Sequence, residues 1–234
     1  MDFKALAGQF WRDGFLLLED RFPAARMRQL DDLIAGHFGA DPAFAHTREF
    51  LDNAATEVIP WFPQADGVED FDNLAADPAL ERLSGEILGE GWYSQYCMIM
   101  FSKPRTAGQA WHQDCPPEDP SRFNLNRLVY TRDITAETGG AIEVIKGSHR
   151  AGRLPAGSVD FDFSARVTLR PRRGALLLLH GHAWHSVCPI ADAPRVSVNF
   201  RAAPARAPAD ITDVCVYRNM LYRFSTSSIV ETRA

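Results

Sequence analysis

The chain is predicted to be mainly β, with short helices at its start buttressing an antiparallel barrel or sandwich of the jelly-roll kind. Two observations predict this. Helical spacing of apolar residues marks roughly the first 90 residues, and from Trp92 onward aromatic and β-branched runs alternate with Gly- and Pro-containing turns. Length agrees with one domain, since 234 residues suit a single β-rich unit.

The elements follow in order. Phe3, Leu6 and Phe10 space a short helix over about 3 to 12, stopped near Gly14, and Phe15 to Leu18 reads as a buried strand. Asp20 before Pro23 predicts a second helix start, with Met27, Leu30, Leu33, Ile34 and His37 at helical spacing until Gly39. From about 41 to 75 periodicity fades into prolines, aromatics (Phe44, Phe50, Trp61, Phe62, Phe71) and acids, which predicts an irregular segment and a candidate lid. Asp77-Pro78 is an N-cap and first-turn pair for a helix bearing Leu80, Leu83 and Ile87. Strands are expected over Trp92 to Phe101, the stretch Gln109 to Asp114, 124 to 131, Ala141 to Ile145, Val167 to Leu169, Ala175 to Leu179 and Arg195 to Arg201. An Ala/Pro/Arg tether, Ala202 to Asp210, leads to a last β-like stretch around Val214 to Tyr217.

Composition narrows the function classes. With 46% hydrophobic and 24% charged residues the chain can bury a full core. A net charge of -5 gives no basic field for a phosphate backbone, so no nucleic-acid partner is expected. No apolar run reaches the roughly 20 residues of a membrane span, so no membrane partner is expected either. The start, Met1-Asp2-Phe3-Lys4, lacks the form of a signal peptide, which makes the cytoplasm the expected location. Cys97, Cys115, Cys188 and Cys215 are widely spaced, which argues against a disulfide framework and a thiolate zinc site.

Chemistry concentrates in Gln109-Ala110-Trp111-His112-Gln113-Asp114. Residues i and i+2 of an extended segment point the same way, so His112 and Asp114 present an imidazole and a carboxylate to one side. Pro116, Pro117 and Pro120 forbid continuing the strand, so the pair sits at a strand end beside a stiff loop. The apolar run Leu176 to Leu179 delivers His180, His182 and His185, any of which would complete two histidines and a carboxylate, a set that non-haem iron oxygenases use with open positions on the metal. Arg195 follows in a new strand, and a guanidinium suits the distal carboxylate of a 2-oxoacid. Alternation of Arg195, Ser197, Asn199 and Arg201 with Val196, Val198 and Phe200 would by itself read as a strand with its polar face in water.

The chain resembles the phytanoyl-CoA dioxygenase-like branch of the iron(II)/2-oxoglutarate oxygenases. The matching features occur in order: Asp13-Gly14-Phe15, Trp111 to Asp114, Asp133-Ile134-Thr135 leading to Gly139-Gly140, Gly147-Ser148-His149, the turn ending in His185, and Pro194-Arg195. The resemblance implies a double-stranded β-helix, cupin-like core over 91–201, helical support and lid over 1–90, and a C-terminal extension over 202–234. It also implies His112, Asp114 and His185 as the catalytic iron(II) ligands and Arg195 as the 2-oxoglutarate anchor. Gln109 matches a position that contacts the co-substrate in relatives, and Gln95 and Ser197 are further candidates for that site. The implied activity is oxidation, foremost hydroxylation, of a C–H bond of a small-molecule substrate, with O2 as second co-substrate and conversion of 2-oxoglutarate to succinate. A carboxylate at 114 occupies the position where the family's halogenases bind chloride, which favours hydroxylation, desaturation or ring closure. Departures from the family pattern are Lys146, where relatives have Pro before the Gly-Ser-His turn, Ile142 in place of a Thr that touches the co-substrate, and Val187 in place of a small residue.

Other residues have simpler readings. Trp111 and Trp184 are expected to pack and stiffen the ligand strands, Cys115 and Cys188 to pack as small hydrophobes, and His37 and His149 to be structural. Lys103, Arg105, Arg122, Arg127 and Arg153 are expected mostly at the solvated surface. Two other readings of the whole use the same residues: a cupin-like hydrolase or isomerase that needs no 2-oxoglutarate, and a non-catalytic ligand-binding module.

Overall fold

The computed structural model describes residues 1–40, 42–44, 46, 48, 51, 56–155, 163, 165–211, 214–217, 220–224 and 229–233, the last three groups by their backbone. Phe50 and the other remaining positions between 41 and 55 of the expected lid lie outside the described residues. Helix α1 (Phe3–Asp13) starts where Asp2 accepts from the Ala5 N–H and ends at left-handed Gly14. Helix α2 (Ala24–Phe38) buries Met27, Leu30, Ile34 and Phe38, one stripe at helical spacing. It starts at Pro23 rather than Asp20, because Asp20 has φ 54 and belongs to the preceding turn. Helix α3 (Pro78–Leu88) has the expected cap, the Asp77 carboxylate accepting from the Ala79 and Leu80 N–H groups at 3.0 Å each.

Two antiparallel sheets form the core. The first runs β1 (Phe15–Leu18), β8 (Leu176–His180), β5 (Leu125–Val129), β10 (Arg195–Ala203), β3 (Tyr93–Ser102) and β2 (Val58–Trp61) in spatial order. The second runs β13 (Ile229–Arg233), β12 (Met220–Phe224), β11 (Val214–Tyr217), β4 (Gln109–Gln113), β9 (His185–Val187), β6 (Ile142–Ile145) and β7 (Arg166–Leu169). Strand β2 lies within the segment expected to be irregular. Its Pro60 hides it in the sequence, yet a proline is tolerated there because β2 is an edge strand. The C-terminal stretch joins the same sheet as the ligand strands, with Val216 and Tyr217 opposite Gln113 and His112.

The first sheet is buried on both faces, which explains its near-continuous apolar strands. Leu176, Leu178, Val196, Val198 and Phe200 pack toward the helices, whereas Leu177 and Leu179 belong to the cluster between the sheets. Arg127 corrects the expectation of a surface residue. It is 1% exposed on the helix side of β5, donating to the Phe200 carbonyl at 2.8 Å, Ser94 Oγ at 2.9 Å and Ser84 Oγ at 3.3 Å. Its guanidinium also lies over Trp92, and burial lowers its pKa to about 10, so it stays charged.

Trp111 packs edge-on against Phe163, and Trp184 Nε1 donates to the Gly152 carbonyl, so both tryptophans stiffen the ligand strands as expected. Cys97, Cys115 and Cys188 are free thiols, and burial pushes Cys115 up to about 12, which leaves it an inert packing group. Among the described residues no helix is long and apolar enough to cross a membrane.

His180 stacks on Phe123 at 4.2 Å with Phe10 on the same ring, and burial, reinforced by His182 and His149, holds its pKa well below 6.5. The unfolded chain therefore binds a proton below pH 6.5 that the folded chain refuses. Stability falls as pH drops from about 6.5 toward the folded pKa, by up to about 1.4 kcal/mol per pH unit for this residue alone. Thermal unfolding at pH 7.5 and 5.5 should show this slope, and His180→Phe should reduce it by the share of one histidine, since His112, His149 and His182 are shifted the same way.

Candidate metal centre and anion pocket

Strands β4 and β9 are paired so that His112 lies directly across from His185. Their ring centroids are 4.0 Å apart. Asp114 stands just beyond β4, where its N–H donates to the Gly181 carbonyl at 2.8 Å. Its Oδ1 is 3.7 Å from His112 Nε2 and its Oδ2 is 3.5 Å from His185 Nε2. One ligand atom from each residue lies within 4.8 Å of the others, and all three residues are buried. The sequence leaves three histidines open for the third position; the structure brings His185 to the pair, and directs His180 and His182 to the aromatic cluster around Phe123.

Backbone carbonyls set the direction of both imidazoles. Nδ1 of His112 faces the Ala110 carbonyl at 2.8 Å, and Nδ1 of His185 faces the Ala183 carbonyl at 2.9 Å. A carbonyl only accepts, so each Nδ1 carries the proton and each Nε2 offers a lone pair toward the shared centre. Burial, then the neighbouring His185, lowers His112 to about 3, so it is neutral at physiological pH. Burial alone would raise Asp114, but Arg201, His185 and His112 outweigh it and hold the carboxyl at about 2. Two imidazole nitrogens and one carboxylate oxygen are a donor set suited to a divalent first-row metal.

Arg195 lines the same cavity, together with Met100, Gln109, Asn126, Leu128, Ile142, Leu179, Val187, Asn199, Arg201 and the triad. The expected inward polar face of β10 is observed: Arg195, Ser197, Asn199 and Arg201 are all 5% exposed or less. Arg195 Nε donates to the Gly140 carbonyl at 2.9 Å and one terminal nitrogen donates to Ser197 Oγ at 3.4 Å. Tyr130 packs beneath the guanidinium, 5.9 Å from ring centroid to Cζ. Among the described residues no carboxylate pairs with this buried cation.

Gly140 has φ +72, and a Cβ there would come within 2.7 Å of Arg195 Cδ. A side chain is excluded by both the backbone conformation and the arginine. Gly140→Ala is expected to weaken binding of a dicarboxylate roughly tenfold while leaving metal binding intact, since strain of about 1–3 kcal/mol would be shared between the loop and Arg195. Isothermal titration of 2-oxoglutarate into the metal-loaded protein reads this out.

The sequence-derived candidates divide. Gln109 lines the cavity, and Ser197 supports Arg195. Gln95 is not among the lining residues, and its amide donates to the Ala209 carbonyl at 3.5 Å. Parity is the reason: Gln95 shares a face of β3 with Cys97, Ile99 and Phe101, which pack toward the helices, while Met100 on the opposite face lines the cavity. Ile142 and Val187, two departures from the family pattern, are wall residues. Sequence reasoning misses Asn126, Tyr130 and the contact of Arg201 with Asp114. Arg201 shares the parity of Arg195, a usable signal, whereas Asn126 sits in a strand buried on both faces where no alternation marks it.

Known proteins share this fold. The phytanoyl-CoA dioxygenase (PhyH) family pattern matches residues 10–189. No curated protein matches the chain significantly. Among solved structures, the epimerase SnoN, in complex with Fe3+, alpha ketoglutarate and nogalamycin RO, superposes with TM-score 0.70 at 18% identity, covering 98% of this chain and 96% of its own. HygX from Streptomyces hygroscopicus, with nickel, 2-oxoglutarate and hygromycin B bound, gives 0.69 at 15% identity over 86% and 87%. EvdO2 from Micromonospora carbonacea var. aurantiaca, complexed with 2-oxoglutarate, gives 0.64 at 19% identity over 85% and 89%. These similarities establish the shared jelly-roll fold.

Proposed function

Because the chain belongs to the phytanoyl-CoA dioxygenase (PhyH) family, we propose that it is an iron(II)- and 2-oxoglutarate-dependent dioxygenase that hydroxylates a C–H bond of a small molecule. The observation that carries this reading is the buried Arg195, a cation without a carboxylate partner among the described residues, in the cavity that also holds the His112–Asp114–His185 cluster. A buried unpaired charge costs several kcal/mol, which an anionic ligand offsets. A 2-oxoacid with a distal carboxylate answers both ends of the cavity. The neighbours crystallised with 2-oxoglutarate support the same ligand.

His112 and His185 would hold iron(II) through Nε2 and Asp114 through its carboxylate. Bound there, iron(II) supplies the redox chemistry by which dioxygen and 2-oxoglutarate yield succinate, carbon dioxide and an oxidised substrate. The protein's own residues orient and seclude. Arg195, steadied by Gly140 and Ser197, would hold the distal carboxylate, with Gln109 beside it. Met100, Leu128, Ile142 and Val187 line the walls with apolar surface, which excludes water. Described parts of the 41–75 segment and the proline loop after Asp114 are candidates for closing over substrate. We read the whole chain as one catalytic domain.

Turnover assays with iron(II), 2-oxoglutarate and a library of small metabolites test the reading, with succinate and product mass as readouts. A product heavier by one oxygen atom supports hydroxylation. A product of unchanged mass with consumed 2-oxoglutarate supports stereochemical inversion, the reading favoured by the epimerase SnoN.

A further inference from the structure

We propose that Asn126 is a positioning residue for the Asp114 carboxylate, with the direction of its amide dictated by Arg201 and Asn199. The inference rests on reading His112, Asp114 and His185 as the metal centre. Asn126 Nδ2 donates to Asp114 Oδ2 at 2.7 Å. Two donors converge on the other end of the same amide: Asn199 Nδ2 at 2.8 Å and an Arg201 terminal nitrogen at 2.6 Å both reach Asn126 Oδ1. Turning the amide over would set its N–H2 against those two donors and its oxygen against a carboxylate. Only the observed direction gives both ends of the amide matched partners.

The network is anchored at its far end as well. Asn199 Oδ1 accepts from the Arg127 backbone N–H at 3.2 Å, so Asn199 can offer only its N–H2 to Asn126. The same Arg201 nitrogen is 3.5 Å from Asp114 Oδ1. Asn126, Asn199 and Arg201 are all within 5% of full burial, where an unmatched polar group is costly and a matched network is rigid. Its members come from β5 and β10 of the first sheet, yet they act on a ligand at the end of β4 in the second sheet. The Asn126 hydrogen bond therefore ties the two sheets together at the candidate metal centre. By fixing Oδ2 it sets the orientation of the carboxylate toward the Nε2 atoms of His112 and His185.

Binding of Co(II), a probe stable in air, to the purified full chain tests this through its dissociation constant and visible absorption spectrum, beside thermal unfolding of the metal-free proteins. Asn126→Leu keeps the size but removes the donor, and is expected to weaken Co(II) roughly 10–100-fold and to change the intensity of the spectrum. Asn199→Leu leaves Asn126 in place with one of its two orienting donors gone, and is expected to cost a few-fold with a smaller spectral change. Should Asn126→Leu fail to fold, Asn199→Leu alone decides. Variants that unfold at lower temperature but bind Co(II) within about twofold of wild type, with the wild-type spectrum, would show a merely structural role and overturn the proposal. A wild-type protein that binds no Co(II) would instead overturn the metal-centre reading on which it rests.

Discussion

Arg195→Ala is expected to raise the dissociation constant for 2-oxoglutarate at least about 100-fold while leaving iron affinity unchanged. Removing one partner of a buried, hydrogen-bonded charge pair costs about 2–5 kcal/mol, and about 2.7 kcal/mol is a factor of 100. Arg195 touches Gly140, Ser197 and Tyr130, none of them a candidate metal ligand, so the metal should not register the change. Arg195→Lys should recover little. A lysine carries the charge, but it has neither the second nitrogen for a carboxylate fork nor the Nε that locks onto the Gly140 carbonyl. Titrating 2-oxoglutarate into metal-loaded wild type and both variants checks the prediction. Equal affinities would remove Arg195 from the anion site.

His185→Ala is expected to weaken iron(II) binding by at least about 100-fold. A structural zinc site of four ligands is worth about 10–16 kcal/mol, so one of only three ligands carries about 3 kcal/mol or more. His185 is the better choice for this test than Asp114, because removing the carboxylate would also strand the buried Arg201 and the Asn126 amide. The readout is metal-dependent stabilisation. Wild type at 100 times its dissociation constant gains about 2.7 kcal/mol, or roughly 5–10 °C in unfolding temperature for a chain of this size. The variant should gain almost nothing at the same metal concentration.

Much of the fold and the centre of the site is legible in the amino-acid sequence. Asp77-Pro78 marks helix α3, and a stripe of apolar residues whose spacing needs no tertiary context marks α2. The period-2 geometry of a strand marks His112 and Asp114, and the ordered family motifs mark His185 and Arg195. What stays hidden depends on partners distant in sequence. Pro60 argues locally against a strand and is overruled because β2 lies at a sheet edge. Arg127 reads as surface by residue type, and the serines, carbonyl, tryptophan and Glu81 carboxylate brought to it by other elements make its burial tolerable. Gln95 falls outside the cavity lining for a local reason, strand parity, which becomes decisive only when the face of β3 toward the helices is known. Asn126 gives no signal, because its meaning comes from Asp114, Asn199 and Arg201 across two sheets.

One cavity is proposed to bind a metal at His112, Asp114 and His185 and a 2-oxoacid at Arg195. Anaerobic titration of 2-oxoglutarate into the iron(II)-loaded protein, followed by visible absorption, is the decisive measurement. The expected result is a charge-transfer band that requires both iron and 2-oxoglutarate, saturates at one equivalent per chain, is lost in His185→Ala and is shifted to far higher 2-oxoglutarate in Arg195→Ala. Iron binding with no 2-oxoglutarate-dependent absorption would contradict the claim and point to a metal enzyme of another reaction class. Binding of neither would point to a non-catalytic module.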